Sequence, residues 1–415
     1  TATHSGSDIE HLIGGAGDDV FTFSANGVKF ANGLGIIDGS GGTNTLDYSL
    51  YTSAVTVNLA LGTATGTGGI LNIQNVFGGS GNDLLTGDSQ SNILRGNAGN
   101  DVIDGGAGND GLLFTNYTTA RNVTLASVGA TDGFNGTTST ITNGFSNINA
   151  IVGSSANGDV LSGATLNNNW TTTRVAVGAN TLTFNGIESL VGGTGNDTLT
   201  FSGAATLSAL GTVDGFDVTV AGFNGLFRNI NAVVGNGVAD ALNGLNAASS
   251  WQLSVNSYQY VSTNTLTFSG IETLVGGNAN DTLNLVNLQS PISVLVNGVG
   301  ATDGFDVTVV GFTGLFRNIN TLVGGAGTDS ITGLAADSTW QVTGANTFNY
   351  ISTNTLAVSA IETVIGNSAN DTLTFANFNT SRVITLNGVG TDGFNIREAA
   401  FNGLFQNINT LIGGT

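Results

Sequence analysis

The sequence predicts an all-β fold: a right-handed parallel β-solenoid (β-helix) with a β-roll embedded in it. Three observations carry that expectation. Four nine-residue units stand in tandem at residues 78–113. A longer repeat of about 85–90 residues runs through the remainder. Between repeats lie short alternating segments rich in β-branched residues, separated by Gly, Asn and Asp.

The tandem comes first. Gly78–Thr86, Gly87–Arg95, Gly96–Asp104 and Gly105–Leu113 fit G-G-x-G-x-D-x-U-x, with U apolar. The spacing reads as a turn that can hold Ca²⁺ followed by a short strand that buries one side chain. Glycine permits the positive φ of a cation-wrapping turn and exposes backbone carbonyls as oxygen ligands. Asp83, Asp101 and Asp110 at the sixth position supply carboxylates. Gly78, Ser80, Gly96, Ala98, Gly105 and Ala107 are the candidate backbone ligands. Leu85, Leu94, Ile103 and Leu112 at the eighth position are expected to point inward. The second unit departs from the pattern with Asn92 at its sixth position, so a site using it lacks one charge and should be weaker.

On these residues the chain resembles the repeats-in-toxin (hemolysin-type calcium-binding) family of secreted bacterial proteins. The resemblance implies that two nonads make one turn of a parallel β-roll, with Ca²⁺ between same-side turns of successive coils. Carried over, Asp83 and Asp101 share one side, with Asn92 and Asp110 on the other.

The longer repeat sets the rest of the architecture. Ile187-Glu-Ser-Leu-Val-Gly-Gly-Thr-Gly-Asn-Asp-Thr-Leu199 returns from Ile271 and from Ile361. A second block, Asp214-Gly-Phe-Asp-Val-Thr-Val with Gly225–Asn231, returns from Asp303 and, degraded, from Asp392; a divergent copy starts at Asp132. A shared core, Ile-[Asn/Glu/Gln]-x-[Leu/Val]-[Val/Ile/Phe]-Gly, begins at Ile9, Ile73, Ile148, Ile187, Ile230, Ile271, Ile319, Ile361 and Ile408. Two rungs of about 20–24 residues per half-unit would fit a single-chain parallel β-helix. The recurrent Asn147, Asn149, Asn229, Asn231, Asn318, Asn320, Asn407 and Asn409 are expected to stack as side-chain ladders between rungs. The single proline suits continuous strands, since proline breaks their hydrogen bonds. The expected segments are residues 1–72 (solenoid with one nonad-like turn), 73–113 (calcium-binding β-roll) and 114–415 (the long repeats).

Composition bounds the partners. The chain has 28 acidic against 8 basic residues, a formal net charge of −20. Most of the acids are Asp, which favours turns and oxygen-ligand sites over helix faces. Uncompensated charge opposes compaction, so a divalent cation is the expected partner, and nucleic acid, which needs clustered Lys and Arg, is not. Cysteine is absent, which excludes disulfides and thiolate metal sites. No apolar run is long enough to span a bilayer, so membrane insertion is not expected. Thr1-Ala-Thr-His4 reads as the middle of something, and Leu411–Thr415 opens another copy of the motif, so a segment of a longer protein is expected.

Single nonad-like turns carry Asp19, Asp197, Asp240, Asp281, Asp329 and Asp371 at the sixth position. Asp19, Asp197, Asp281 and Asp329 are the candidate calcium ligands among them, against the alternative of a turn aspartate accepting backbone N–H bonds. Asp214-Gly-Phe-Asp217 and Asp303-Gly-Phe-Asp306 look like paired catalytic acids but repeat along the chain, so turn structure is favoured. Trp170, Trp251 and Trp340 recur at one point of the repeat, and packing is favoured over a sugar-stacking platform. His4 and His11 lack zinc spacing. Arg228 and Arg317 are expected to neutralise nearby acids.

The expectation for function is a non-enzymatic, extracellular structural or adhesive bacterial surface protein stabilised by Ca²⁺, and the family resemblance implies export by a type I-like route. End-to-end self-association into filaments or matrix fibres follows from rungs with unpaired backbone, and a surface glycan or another cell is the expected binding target. The alternatives are a polysaccharide lyase or epimerase, or an ice-binding module.

Overall fold

A computed structural model describes residues 10–139, 141–163, 165–255, 257–399, 401 and 403–414. Ile9, the first of the shared-core isoleucines, lies outside them. Among the described residues every regular element is a β-strand except one 3₁₀ turn at Phe30–Gly33. The strands stack mainly in parallel, coil on coil, and the fold is a β-solenoid containing a β-roll, as predicted. The chain divides into two compact units: Thr1–Thr198 with Phe223–Asn229, and Leu199–Gly222 with Ile230–Thr415.

In the first unit two strand stacks are filled alternately. One holds Thr45–Asp47, Asn75–Phe77, Ile93–Arg95, Gly111–Leu113 and Ala150–Val152; the other holds Thr56–Asn58, Leu84–Thr86 and Val102–Asp104. Across the nonads each strand has three residues, and the strand after it lies in the opposite stack. Nonads one and three therefore stack, with Leu85 opposite Ile103, and nonads two and four stack, with Leu94 opposite Leu112. The period-two alternation of a strand puts only the middle residue of each triplet inside. Leu85, Leu94, Ile103 and Leu112 are all buried.

The long repeats depart from a purely parallel helix. At regular intervals one strand of a stack is replaced by a three-stranded antiparallel meander. Asn122–Val128, Phe134–Thr138 and Phe145–Ile148 form one, and Asn169–Trp170, Arg174–Val177 and Asn180–Asn185 another. In the second unit Ser249–Leu253, Tyr258–Val261 and Thr265–Ser269 alternate with Ser293–Val299, Phe305–Val309 and Leu315–Ile319, and both meanders then recur. Three strands reverse direction twice, so the parallel order resumes: Leu315–Arg317 pairs with Thr273–Val275, and Ser293–Leu295 with Ser330–Thr332. The repeated Asp-Gly-Phe motif is the first hairpin turn of a meander. Gly133, Gly215, Gly304 and Gly393 sit there at φ 54°, 53°, 51° and 81°. Asp-Gly before an alternating run is a strong short-range hairpin signal, and it was the sequence cue for this departure.

The asparagines do not stack on one another. Asn147, Asn229, Asn318 and Asn407 take the left-handed conformation (φ 54–57°), which Asn tolerates. Asn149, Asn320 and Asn409 instead accept the main-chain N–H of Asp110, Asp281 and Asp371 at 3.1, 2.9 and 2.9 Å. At the equivalent place Glu188, Glu272 and Glu362 accept from Asp159, Asp240 and Asp329. The polar residue after the shared-core isoleucine is thus an inter-coil acceptor at Gln74, Asn149, Glu188, Glu272, Asn320, Glu362 and Asn409.

Trp170, Trp251 and Trp340 are completely buried, which settles them as packing residues. Trp251 meets Tyr260 at a ring-centroid distance of 4.7 Å, and Trp340 meets Tyr350 at 4.4 Å. Each tyrosine hydroxyl accepts a main-chain N–H, from Leu245 and Leu334, so the ring is buried with its polar tip satisfied. Phe216 against Tyr260 and Phe305 against Tyr350 join the two stacks of the second unit through its core. Replacing Trp340 by Ala should lower stability by roughly 3–5 kcal/mol, the range for emptying a buried aromatic site. Chemical denaturation checks this, with the exposed Val255→Ala near zero.

Candidate metal centre

Each nonad folds its sixth-position side chain back under its own turn. Asp83, Asn92, Asp101 and Asp110 are almost entirely buried. One oxygen of each reaches the preceding coil or its own turn. The Asp83 N–H donates to Asp101 Oδ1 (2.9 Å), and the Asn92 N–H to Asp110 Oδ1 (2.8 Å). Asp83 itself accepts from Val55 (2.9 Å) and Gly79 (2.7 Å).

The third and fourth nonads differ in a way that matters for a cation. Asn97 and Gly106, at their second positions, have φ of 60° and 91°, and the Gly106 amide donates to Asp104 instead (3.1 Å). Asp101 Oδ2 and Asp110 Oδ2 are left buried with no hydrogen-bond partner. A buried carboxylate oxygen without a donor is costly unless a cation meets it. Burial pushes Asp101 up to about 7, with the charge of Asp83 adding to it and the Asp83 amide opposing. Burial likewise pushes Asp110 up to about 7, with the charges of Asp132, Asp88 and Asp104 adding. Asp83 is raised by burial against the amides of Val55 and Gly79.

Carbonyl oxygens converge on the same places. A Cβ on Gly78 would collide with Asp83 Oδ2 and lie 2.9 Å from Gly96 O, and one on Gly96 would collide with Asp101 Oδ2. A Cβ on Gly105 would collide with Asn147 O and lie 2.7 Å from Asp110 Oδ2. Glycine is required because oxygens of two coils occupy the space of its side chain. Ser80, Ala98 and Ala107 stand at the outer part of their turns, Ser80 and Ala98 exposed. Among the described residues no three His, Asp or Glu side chains group to hold an ion, so carbonyls must supply most ligands. The residues present fit a hard, oxygen-liganded cation such as Ca²⁺.

The isolated turns are not stacked on tandem nonads. Asp19 accepts from Gly15 (2.6 Å), and its own N–H donates to Asn44 Oδ1 (2.9 Å). Asp197 Oδ1 accepts from Asn168 Nδ2 (2.7 Å), and Asp281 and Asp371 accept from the hydroxyls of Ser249 and Ser338. Both oxygens of Asp329 accept amides, from Ile292 (2.8 Å) and Gly325 (2.6 Å), and Asp240 does the same with Gly203 and Gly237 (2.6 Å each). Arg317 Nε lies 3.9 Å from Asp306 Oδ2. His11 is exposed, and His4 lies outside the described residues.

Sequence reading missed the partners. Asn44, Asn168, Ser249 and Ser338 are the sixth positions of degenerate nonads opening at Gly39, Gly163, Gly244 and Gly333. The signal was the eighth position: Leu46, Trp170, Trp251 and Trp340 fall there. The tryptophans are the apolar residues of worn nonads.

The family model for the RTX calcium-binding nonapeptide repeat matches residues 4–22, 77–112, 182–200, 266–284 and 317–337. These are RTX calcium-binding repeats. The matched stretches carry Asp19, the whole tandem, Asp197, Asp281 and Asp329, and together span well under half of the chain. RTX repeats bind Ca²⁺, and proteins that carry them are typically secreted bacterial proteins. A search of curated proteins finds no match.

The raised carboxyls set a pH dependence for the chain without calcium. Folded Asp101 and Asp110 hold protons that the unfolded chain, with carboxyls near 3.8, has released. The folded state therefore binds more protons, and stability falls as pH rises from about 4 to 7. In chelator the Tm should drop between pH 5 and pH 8, and Asp101→Asn should flatten the drop. Saturating calcium should remove it, since the ion takes the protons' place. A Tm in chelator that rises over that range contradicts the assignment.

Proposed function

We propose that the chain is a structural or adhesive part of an extracellular bacterial surface protein whose RTX turns bind Ca²⁺ and fix the solenoid outside the cell. The observation that carries this is the pair of buried, donorless carboxylate oxygens on Asp101 and Asp110, backed by glycine-lined carbonyls. Asp83, Asp101 and Asp110 are the charged ligands in this reading, with Asn92 as a neutral one. Gly78, Ser80, Gly96, Ala98, Gly105 and Ala107 contribute carbonyls.

The mechanism is linkage. At low cytosolic calcium the acidic turns repel and the chain stays exportable. Outside, calcium binds only the folded turns and stabilises them by about 2.7 kcal/mol per site at a hundredfold excess over Kd. A repetitive build supports a scaffold role, because the motifs that resemble catalytic pairs are spent on architecture. Asp214-Gly and Asp303-Gly make hairpin turns, and Asp306 faces Arg317.

Circular dichroism and electron microscopy of one sample with and without calcium test the reading. A β-signal that strengthens and melts at higher temperature on calcium addition, and returns to the weaker, lower-melting form in chelator, is the expected outcome, and filaments in the calcium sample place the role in assembly. A β-signal indifferent to calcium defeats the mechanism.

A further inference from the structure

The Asp-Gly-Phe turn brings a second acid to the buried carboxylate of its coil. In the first unit Asp132 Oδ2 accepts the Gly108 amide (2.9 Å), which seats this turn on the fourth nonad. Its other oxygen, Oδ1, is buried without a partner, as is Oδ2 of the completely buried Asp110. The second unit repeats the pair of unpartnered oxygens. Asp303 Oδ1 is buried and unpartnered, and so is Oδ2 of the completely buried Asp281. Ser249 satisfies Asp281 Oδ1, and the Gly277 amide lies near enough to oppose the upward shift of Asp281 without a well-formed hydrogen bond to Oδ2. The two members of each pair feel one another: Asp132 adds to the upward push on Asp110, and Asp303 to that on Asp281, which burial raises to about 6.

A carbonyl faces each pair. Asn318 O and Asp281 Oδ2 lie 2.8 and 2.6 Å from the point a Cβ on Gly276 would occupy, and Asn147 O and Asp110 Oδ2 meet in the same way at Gly105. Gly276, Gly277, Thr302 and Asn318 also line a cavity of about 440 Å³. Two adjacent unpaired carboxylates in a buried site repel unless a proton or a cation joins them. Carbonyl oxygens supply no proton, and they are good ligands for a hard cation.

We infer that Asp132 with Asp110, and Asp303 with Asp281, each hold a Ca²⁺ ion together with the carbonyl of Asn147 or Asn318. The hairpin turn thus supplies the charge that a neighbouring nonad supplies in a β-roll. The inference rests on Asp110 and Asp281 being calcium ligands at all. The last copy is the internal contrast. Asp392 Oδ1 accepts from Asn409 Nδ2 (3.1 Å), and Asp371 Oδ2 accepts from the Asn367 amide (2.9 Å), so this pair needs no ion.

Counting calcium ions on the full chain by native mass spectrometry, with affinities from calorimetry, tests it. Asp132→Asn and Asp303→Asn should each lose one ion or weaken one site at least tenfold, while Asp392→Asn loses none. Melting in chelator guards against misfolding: these variants should melt no lower than the parent, because a repulsion is removed, but should gain less from calcium. Unchanged ion counts and affinities overturn the inference, as does a lower chelator Tm with the full calcium gain. If Asp101→Asn loses an ion and the hairpin variants do not, only this inference falls. A parent chain that binds no calcium removes both readings.

Discussion

One hydrogen bond ties each coil to the next: a turn side chain accepts the main-chain N–H of a residue one coil earlier. Asp83 to Asp101, Asn92 to Asp110, Ile292 to Asp329 and Asn168 to Asp197 all repeat it. Turn amides in a solenoid lie outside the strand ladders, and a buried amide without an acceptor is costly. A short acid placed once per turn solves this for every coil, so the motif persists where other positions drift. The glutamates and asparagines after the shared-core isoleucines perform the same service on the amides of those acids.

What differs along the chain is how the acid's remaining oxygen is satisfied. At Asp329 and Asp240 a second amide takes it. At Asp197 and Asp371 the amide of Gly193 or Asn367 takes it, while Asn168 or Ser338 donates to the other oxygen. At Asp101, Asp110 and Asp281 the second oxygen is left without a hydrogen-bond partner, and beside Asp110 the Gly106 amide turns to Asp104 instead. The two arrangements are interchangeable for stacking coils and differ in their need for a cation.

The solenoid and its tandem were legible because the determinants are local: glycine spacing, an acid and one inward residue per nonad. The stacking of first on third and second on fourth unit follows from the parity of nine-residue strand-and-turn steps. The antiparallel meanders were not anticipated, although Asp132-Gly, Asp214-Gly, Asp303-Gly and Asp392-Gly announced them. A hairpin inserted in a parallel stack preserves the repeat length and is hidden by it. The worn nonads at Gly163, Gly244 and Gly333 were missed for another reason. Their apolar position had grown to Trp and their sixth position had drifted to Asn or Ser, so the tryptophans read as packing residues while the nonad around them did not show. Partner choice at Asp197 and Asp281 depends on which turn lies against which, and only the coil register fixes that.

The charge of −20 can be understood from the same geometry. Most of the acids lie in turns, and a solenoid stacks its turns in columns, which brings like charges together down each column. Hydrogen bonds from amides and hydroxyls remove part of that cost, and the ion pairs of Arg317 and Arg382 remove a little more. The buried remainder sits where coils meet, so a cation placed there neutralises charge and joins adjacent coils at once. Stability is then added at the interfaces between coils rather than within any one of them. In a nearest-neighbour architecture the interface term sets how far order propagates. A few occupied turns near residues 83–110 would be enough to hold the coils on either side in register.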